Sequence, residues 1–243
     1  MRVKLTLEYD GTAYFGWQLQ AGQDSIQGRV EAALAQIFGA LVRVHGSGRT
    51  DAGVHAHGQV AAALLPREFD PDDLRRALNA LLPADIVVLA AERAPDNFDP
   101  RRDARSRVYE YRVLNRQSRS AFEHRYAWLV RDTIDLEAMR SAARAFVGEH
   151  DFAAFRTLGS EEKTTMRRVI ESDWRRDGEL FIYRVEATSF LRHMVRTMVA
   201  AMLDAGRGKI GADEIPAMLA SRDRAAAPAP APACGLYLIE VGY

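Results

Sequence analysis

The sequence predicts an α+β (α/β) fold of two halves, each running in the order βαββαβ, with a mainly antiparallel sheet and helices on one face. Three observations carry this expectation. Short segments alternate apolar and polar residues at a period of two, as at Val3, Leu5, Leu7 and Tyr9. Others repeat apolar residues at helical spacing, as at Ile26, Val30, Ala33, Leu34 and Ile37. The same order of elements then comes twice in 243 residues, without a residue-level repeat. That length holds one large domain or two small ones. The join is expected between an N-terminal half, 1–98, and a C-terminal half, 99–243.

Val3 to Tyr9 form the first strand, and Asp10-Gly11 turns it. Asp24 or Ser25 caps the first helix, whose apolar face covers the sheet, and Gly39 ends it. Leu41 to His45 make a short strand and Gln59 to Leu65 another, which places the intervening loop at a sheet edge. Asp70 as N-cap and Pro71 at the first helical position open a second helix with Leu74, Ala77, Leu78 and Leu81 inward. Ile86 to Ala91 complete a ferredoxin-like unit.

Residues 93 to 103, with Pro95 and Pro100, read as the join. Val108 to Leu114 alternate, putting Tyr109, Tyr111 and Val113 on one face. Tyr126 to Val130 fit a strand and an insertion equally. Asp135 to Gly148 are predicted helical, Thr165 to Trp174 and Leu180 to Ala187 a hairpin around Asp177-Gly178, and Ser189 to Ala205 a helix. A short helix near Asp213 to Ala220 precedes the last strand, Leu236 to Val241. Two ferredoxin-like sheets side by side would make one extended sheet with a cleft across it. The run from Ala225 to Ala233, with Pro228, Pro230 and Pro232, reads as an extended loop.

Formal net charge is zero, which taken alone argues against a nucleic-acid partner. Its distribution argues otherwise: residues 101 to 131 hold nine arginines against Asp103, Glu110 and Glu123. One cysteine, Cys234, excludes an internal disulfide and suits a reducing compartment. No apolar run is long enough to span a bilayer and no signal core opens the chain, so a soluble, cytoplasmic protein is expected.

The densest chemistry lies between Gly46 and Val60. Gly46, Gly48 and Gly53 allow a tight backbone around one cation, Arg49, one hydroxyl, Thr50, and one carboxylate, Asp51. The glycine spacing matches neither common phosphate loop. His55 and His57 alternate like strand neighbours, but no third ligand stands at metal spacing. An ordinary turn and a presented carboxylate both fit these residues.

Gly48-Arg49-Thr50-Asp51-Ala52-Gly53-Val54-His55-Ala56 resembles, position by position, the catalytic signature of the tRNA pseudouridine synthase A family. The likeness extends to Tyr9-Asp10-Gly11-Thr12 with Gly16-Trp17-Gln18-Leu19-Gln20, and to Ala145 through Phe152 with Phe155-Arg156. It also takes in Phe190 through Arg196 and Ala231 through Leu238. Phe98-Asp99-Pro100-Arg101-Arg102 departs from the family's Phe-x-Ala-Arg-Phe at Pro100 and Arg102.

The resemblance implies an isomerase that converts uridine to pseudouridine at positions 38, 39 and 40 of the tRNA anticodon arm. It implies no cofactor and no metal, a homodimer holding one tRNA with both subunits, and a catalytic cleft between the halves. Asp51 is the implied nucleophile, attacking ribose C1′ or ring C6; the sequence does not choose between them. Arg196, by pattern a residue of a solvated helix face, is the implied ionic partner that keeps it charged. Tyr109, by pattern equally a core aromatic, is implied to lie against the extruded uracil, and Arg49 to occupy the space that the flipped nucleotide leaves. Arg101 and Arg107 are expected phosphate contacts, and His193 a packing or RNA-contact residue. The alternative is a non-catalytic RNA-binding or tRNA-folding protein on the same scaffold. A glycoside hydrolase would want a second carboxylate near Asp51, which the loop does not offer.

Overall fold

A computed structural model describes residues 1–157, 164–211 and 213–243. It has the α+β character that the periodicities predict, with ten strands, mostly antiparallel, and five α-helices among the described residues. In chain order these are β1 (Arg2–Tyr9), α1 (Ile26–Phe38), β2 (Val44–Gly46), β3 (His55–Leu64), α2 (Pro71–Leu81) and β4 (Ile86–Arg93). There follow β5 (Ser106–Asn115), β6 (Trp128–Val130), α3 (Leu136–Arg144), β7 (Gly148–Asp151), β8 (Met166–Asp177) and β9 (Leu180–Ala187). The last are α4 (Met194–Gly206), α5 (Glu214–Ser221) and β10 (Leu236–Gly242). The chain folds as two units, one of Met1–Arg105 with Tyr237–Tyr243, the other of Ser106–Leu236. No helix among the described residues is long and apolar enough to cross a membrane.

The first unit keeps the βαββαβ order. β1 lies between β3 and β4, antiparallel to both, and its alternation buries Val3, Leu5, Leu7 and Tyr9. Along the other edge of β3, β2 pairs antiparallel with Ala61 to Ala63, while β10 runs parallel beside His55 and Ala56. β3 thus has neighbours on both edges, and most of its residues are buried. Ser25, not Asp24, is the N-cap of α1, its Oγ accepting from Gly28 N at 3.2 Å, and Gly39 closes the helix. Asp70 caps α2 through the amides of Asp72 and Asp73. α1 also buries two polar side chains: Gln27 donates to the Val44 carbonyl at 3.0 Å, and Glu31 accepts from the Val44 amide at 3.0 Å. They tie the helix to the start of β2.

In the second unit β9 lies between β5 and β8, antiparallel to both; β7 extends the sheet beyond β8, and β6 pairs parallel with β5. The hairpin around Asp177-Gly178 forms as predicted, and the ambiguous stretch near Tyr126 becomes the short strand β6. Several predicted boundaries move, among them the start of β2, expected at Leu41 and found at Val44. The helix expected to reach Gly148 ends at Arg144, because Gly148 takes φ 110° and starts the register of β7 opposite Val169. The helix expected from Ser189 begins at Met194, after His193 takes a left-handed φ of 65°. The strand expected from Gln59 begins at His55, since pairing with β10 extends it, a contact from far along the chain.

Candidate active site

β2 and β3 deliver the loop of residues 47 to 54, and side chains beneath it hold its main chain. The Ser47 amide donates to Val60 O at 2.8 Å, the Trp17 amide to Thr50 O at 3.0 Å, and the Gly53 amide to Tyr14 O at 3.3 Å. Gly16, with φ 85°, lies so close to the loop that a Cβ there would stand 2.4 Å from Thr50 O. Gly53 closes the turn with φ 77°, and the Val54 amide reaches back to Asp51 O at 3.1 Å. On this frame Thr50 is buried, Asp51 half-buried and Arg49 exposed. The carboxylate and the cation therefore sit on a clamped turn with access to solvent.

Sequence reasoning passed over what lies under the turn. Gln59 is fully buried; its Oε1 accepts from Ser47 Oγ at 2.8 Å and its Nε2 donates to Gly48 O at 3.0 Å. The Tyr9 hydroxyl joins at 2.9 Å from Thr50 Oγ1. Burial pushes the Tyr9 hydroxyl up from 10.0 to about 12, with the Thr50 and Gln59 hydrogen bonds opposing the rise. One signal was available: a glutamine among the apolar residues of a strand otherwise buried on both sides. His55 and His57, weighed as metal ligands, instead stack on the Tyr237 ring at centroid distances of 4.8 and 5.4 Å. Among the described residues no group of three or more His, Cys, Asp and Glu side chains could hold a metal ion.

The second unit carries the other predicted residues except Arg101, which belongs to the first. Tyr109, almost fully buried on β5, meets the Phe190 ring edge-on at 5.1 Å. Arg196 is half-buried in the first turn of α4, on a helix buried at nearly every residue, while Arg192 just before the helix is exposed. Its Nε donates to Ala231 O at 2.6 Å, and the Ala231 amide returns a bond to Arg196 O at 3.0 Å. Tyr111 donates its hydroxyl to Pro232 O at 2.7 Å, which anchors the same proline-rich segment. His193 shares a 2.7 Å hydrogen bond with Thr157 Oγ1. Arg107 is buried, bonded to Thr188 O at 2.9 Å, whereas Arg101 is exposed in a turn whose amides Asp99 accepts. In the arginine-rich segment, Arg116 and Arg131 brace the loop through Ser118 O and Gln117 O, while Arg119 and Arg125 are exposed.

A family model described as tRNA pseudouridine synthase matches residues 6–102 and 142–243. A protein of Bradyrhizobium sp. named tRNA pseudouridine synthase A is 46% identical over 243 residues, covering 100% of this chain and 99% of the relative. The protein of that name from Geotalea uraniireducens is 46% identical over 246 residues, with coverage of 100% and 99%. That from Bradyrhizobium diazoefficiens is 45% identical over 243 residues, again at 100% and 99%.

Proposed function

The chain belongs to the tRNA pseudouridine synthase family, and from that membership we propose that it isomerises uridine to pseudouridine at positions 38, 39 and 40 of the tRNA anticodon arm. In this reading it works in the cytoplasm as a homodimer whose two subunits hold one tRNA. The observation that carries the proposal is the placement of Asp51: a half-buried carboxylate on a turn held by main-chain bonds to Trp17 and Tyr14, two positions from an exposed arginine.

The reaction breaks the bond between C1′ and N1 and makes one between C1′ and C5, with the C5 proton lost and a proton gained at N1. Atoms and charge balance without an oxidant, so acid, base and nucleophile are all the chemistry required. Asp51 opens the sequence by adding to C1′, with uracil leaving, or to ring C6, with the glycosidic bond breaking afterwards. Arg196, held through Nε by Ala231 O, serves as the ionic partner of the Asp51 carboxylate. Tyr109, braced edge-on by Phe190, stacks on the extruded base and takes part in the late removal of the C5 proton. Arg49 fills the space that the flipped nucleotide vacates, and exposed arginines such as Arg101, Arg119 and Arg125 meet phosphates.

The test is to incubate unmodified tRNA transcript with the wild type and with Asp51→Asn, then map pseudouridine nucleotide by nucleotide. Product confined to positions 38 to 40 and absent with Asp51→Asn is expected. Free uracil among the products, or tRNA binding without turnover by the wild type, would overturn the reading.

A further inference from the structure

We propose that Gln59 is a positioning residue for the turn that carries Arg49 and Asp51, acting with Tyr9 as a hydrogen-bonded brace beneath it. The inference rests on the reading of Asp51 as the nucleophile and adds to it residues that never touch the substrate.

Gln59 grips the loop on one side of Arg49, and Tyr9 on the other. The Ser47 hydroxyl donates to Gln59 Oε1, and Gln59 Nε2 donates to Gly48 O. A carbonyl can only accept, so the amide has one workable orientation. Gln59 Nε2 also lies 3.4 Å from the Tyr9 oxygen as donor. That hydroxyl in turn shares a hydrogen bond with Thr50 Oγ1, 2.9 Å away. The chain from Ser47 through Gln59 and Tyr9 to Thr50 thus ties residues 47 and 48 to residue 50. Arg49 and Asp51 branch from a main chain fixed at the intervening and flanking positions. Burial holds the Tyr9 proton well above neutral pH, so the brace does not titrate in the working range.

A residue serving only to fill this space would be apolar, since a buried polar group stabilises only when its partners are met. Gln59 offers a donor and an acceptor on one planar head, and both meet the loop. Glutamate has nearly the same shape, but its ionised head has no donor and would face the Gly48 carbonyl with like polarity. Tyr9→Phe keeps the buried ring beside Trp17 and removes the bonds that its hydroxyl makes with Thr50 and Gln59.

The experiment compares Gln59→Glu, Gln59→Leu and Tyr9→Phe with the wild type in three readouts: kcat and KM on tRNA transcript, tRNA affinity, and amide hydrogen exchange across residues 47 to 54. A displaced nucleophile lowers turnover by about tenfold to a hundredfold for the Gln59 variants. KM and affinity should stay within about threefold, and Tyr9→Phe, which leaves the bonds of Gln59 to Ser47 and Gly48 in place, should fall between the Gln59 variants and the wild type in turnover. Exchange at the loop amides should quicken in all three variants while the amides of β8 and β9 exchange as before. Wild-type turnover in folded Gln59→Glu or in Tyr9→Phe would overturn the inference, as would exchange that quickens evenly through the molecule. If a Gln59 variant does not fold, Tyr9→Phe decides. If the wild type makes no pseudouridine, the proposed function fails, and the exchange data still decide whether Gln59 braces the loop.

Discussion

His193 stands with positive φ directly before a helix, a conformation that costs a residue with a Cβ roughly 1–3 kcal/mol unless its surroundings insist on it. The surroundings here are the bond to Thr157 and the turn that lets α4 start at Met194, two residues before Arg196. His193→Asn, which tolerates the left-handed region, should therefore keep most of the stability, whereas β-branched His193→Val should lose about 1–3 kcal/mol in denaturant unfolding. A midpoint for Val equal to that for Asn would show that the conformation is not constraining. At Tyr109 the hydroxyl and the ring separate cleanly. Tyr109→Phe keeps the edge contact with Phe190 and should bind tRNA as the wild type does, while turnover falls about a hundredfold or more. Retained turnover would remove the hydroxyl from the chemistry and leave the ring a stacking surface alone.

Gly16 belongs to no strand or helix, yet it sets how closely the N-terminal segment approaches the turn at Thr50 and Asp51. Gly16→Ala places a Cβ against Thr50 O and strains a φ of 85°; a loss of about 2 kcal/mol or more in stability is expected, with turnover falling further than stability alone explains. Thermal unfolding and kcat measured together check both halves of that statement. Elements of this kind mark where sequence reading reached its limit. The alternation of β1, the caps Asp70 and Gly39 and the hairpin at Asp177 are local signals, and each is found where the pattern put it. The start of β3 depends on a strand far along the chain, and the buried polar pair Gln27 and Glu31 lies on a helix whose spacing looked simply amphipathic. Asp51 stood out because glycines bracket it; Gln59 did not, because only the folded loop shows what it holds.

For the whole molecule, the buried tyrosines make a pH prediction. Burial raises the hydroxyls of Tyr9, Tyr111 and Tyr183 above the usual 10.0, and burial together with Asp85 raises that of Tyr14. A group whose value is raised in the folded state holds its proton more tightly there than when unfolded. Its stabilisation is complete below about pH 10 and is lost as the pH climbs through the folded value, about 12 for Tyr9. Tyrosinate absorbance from these four rings should rise only late, together with unfolding by circular dichroism. A single early rise in folded protein would contradict the burial. The return of Tyr237–Tyr243 to the first unit carries a consequence for synthesis. A ribosome makes residues 1–105 early, but the strand that lies beside His55 is made only after all of the second unit. The unit that carries Asp51 cannot finish folding until residues 237–243 have left the ribosome, so a protein cut off before Tyr237 should leave the edge of β3 at His55 bare and prone to pairing with other chains.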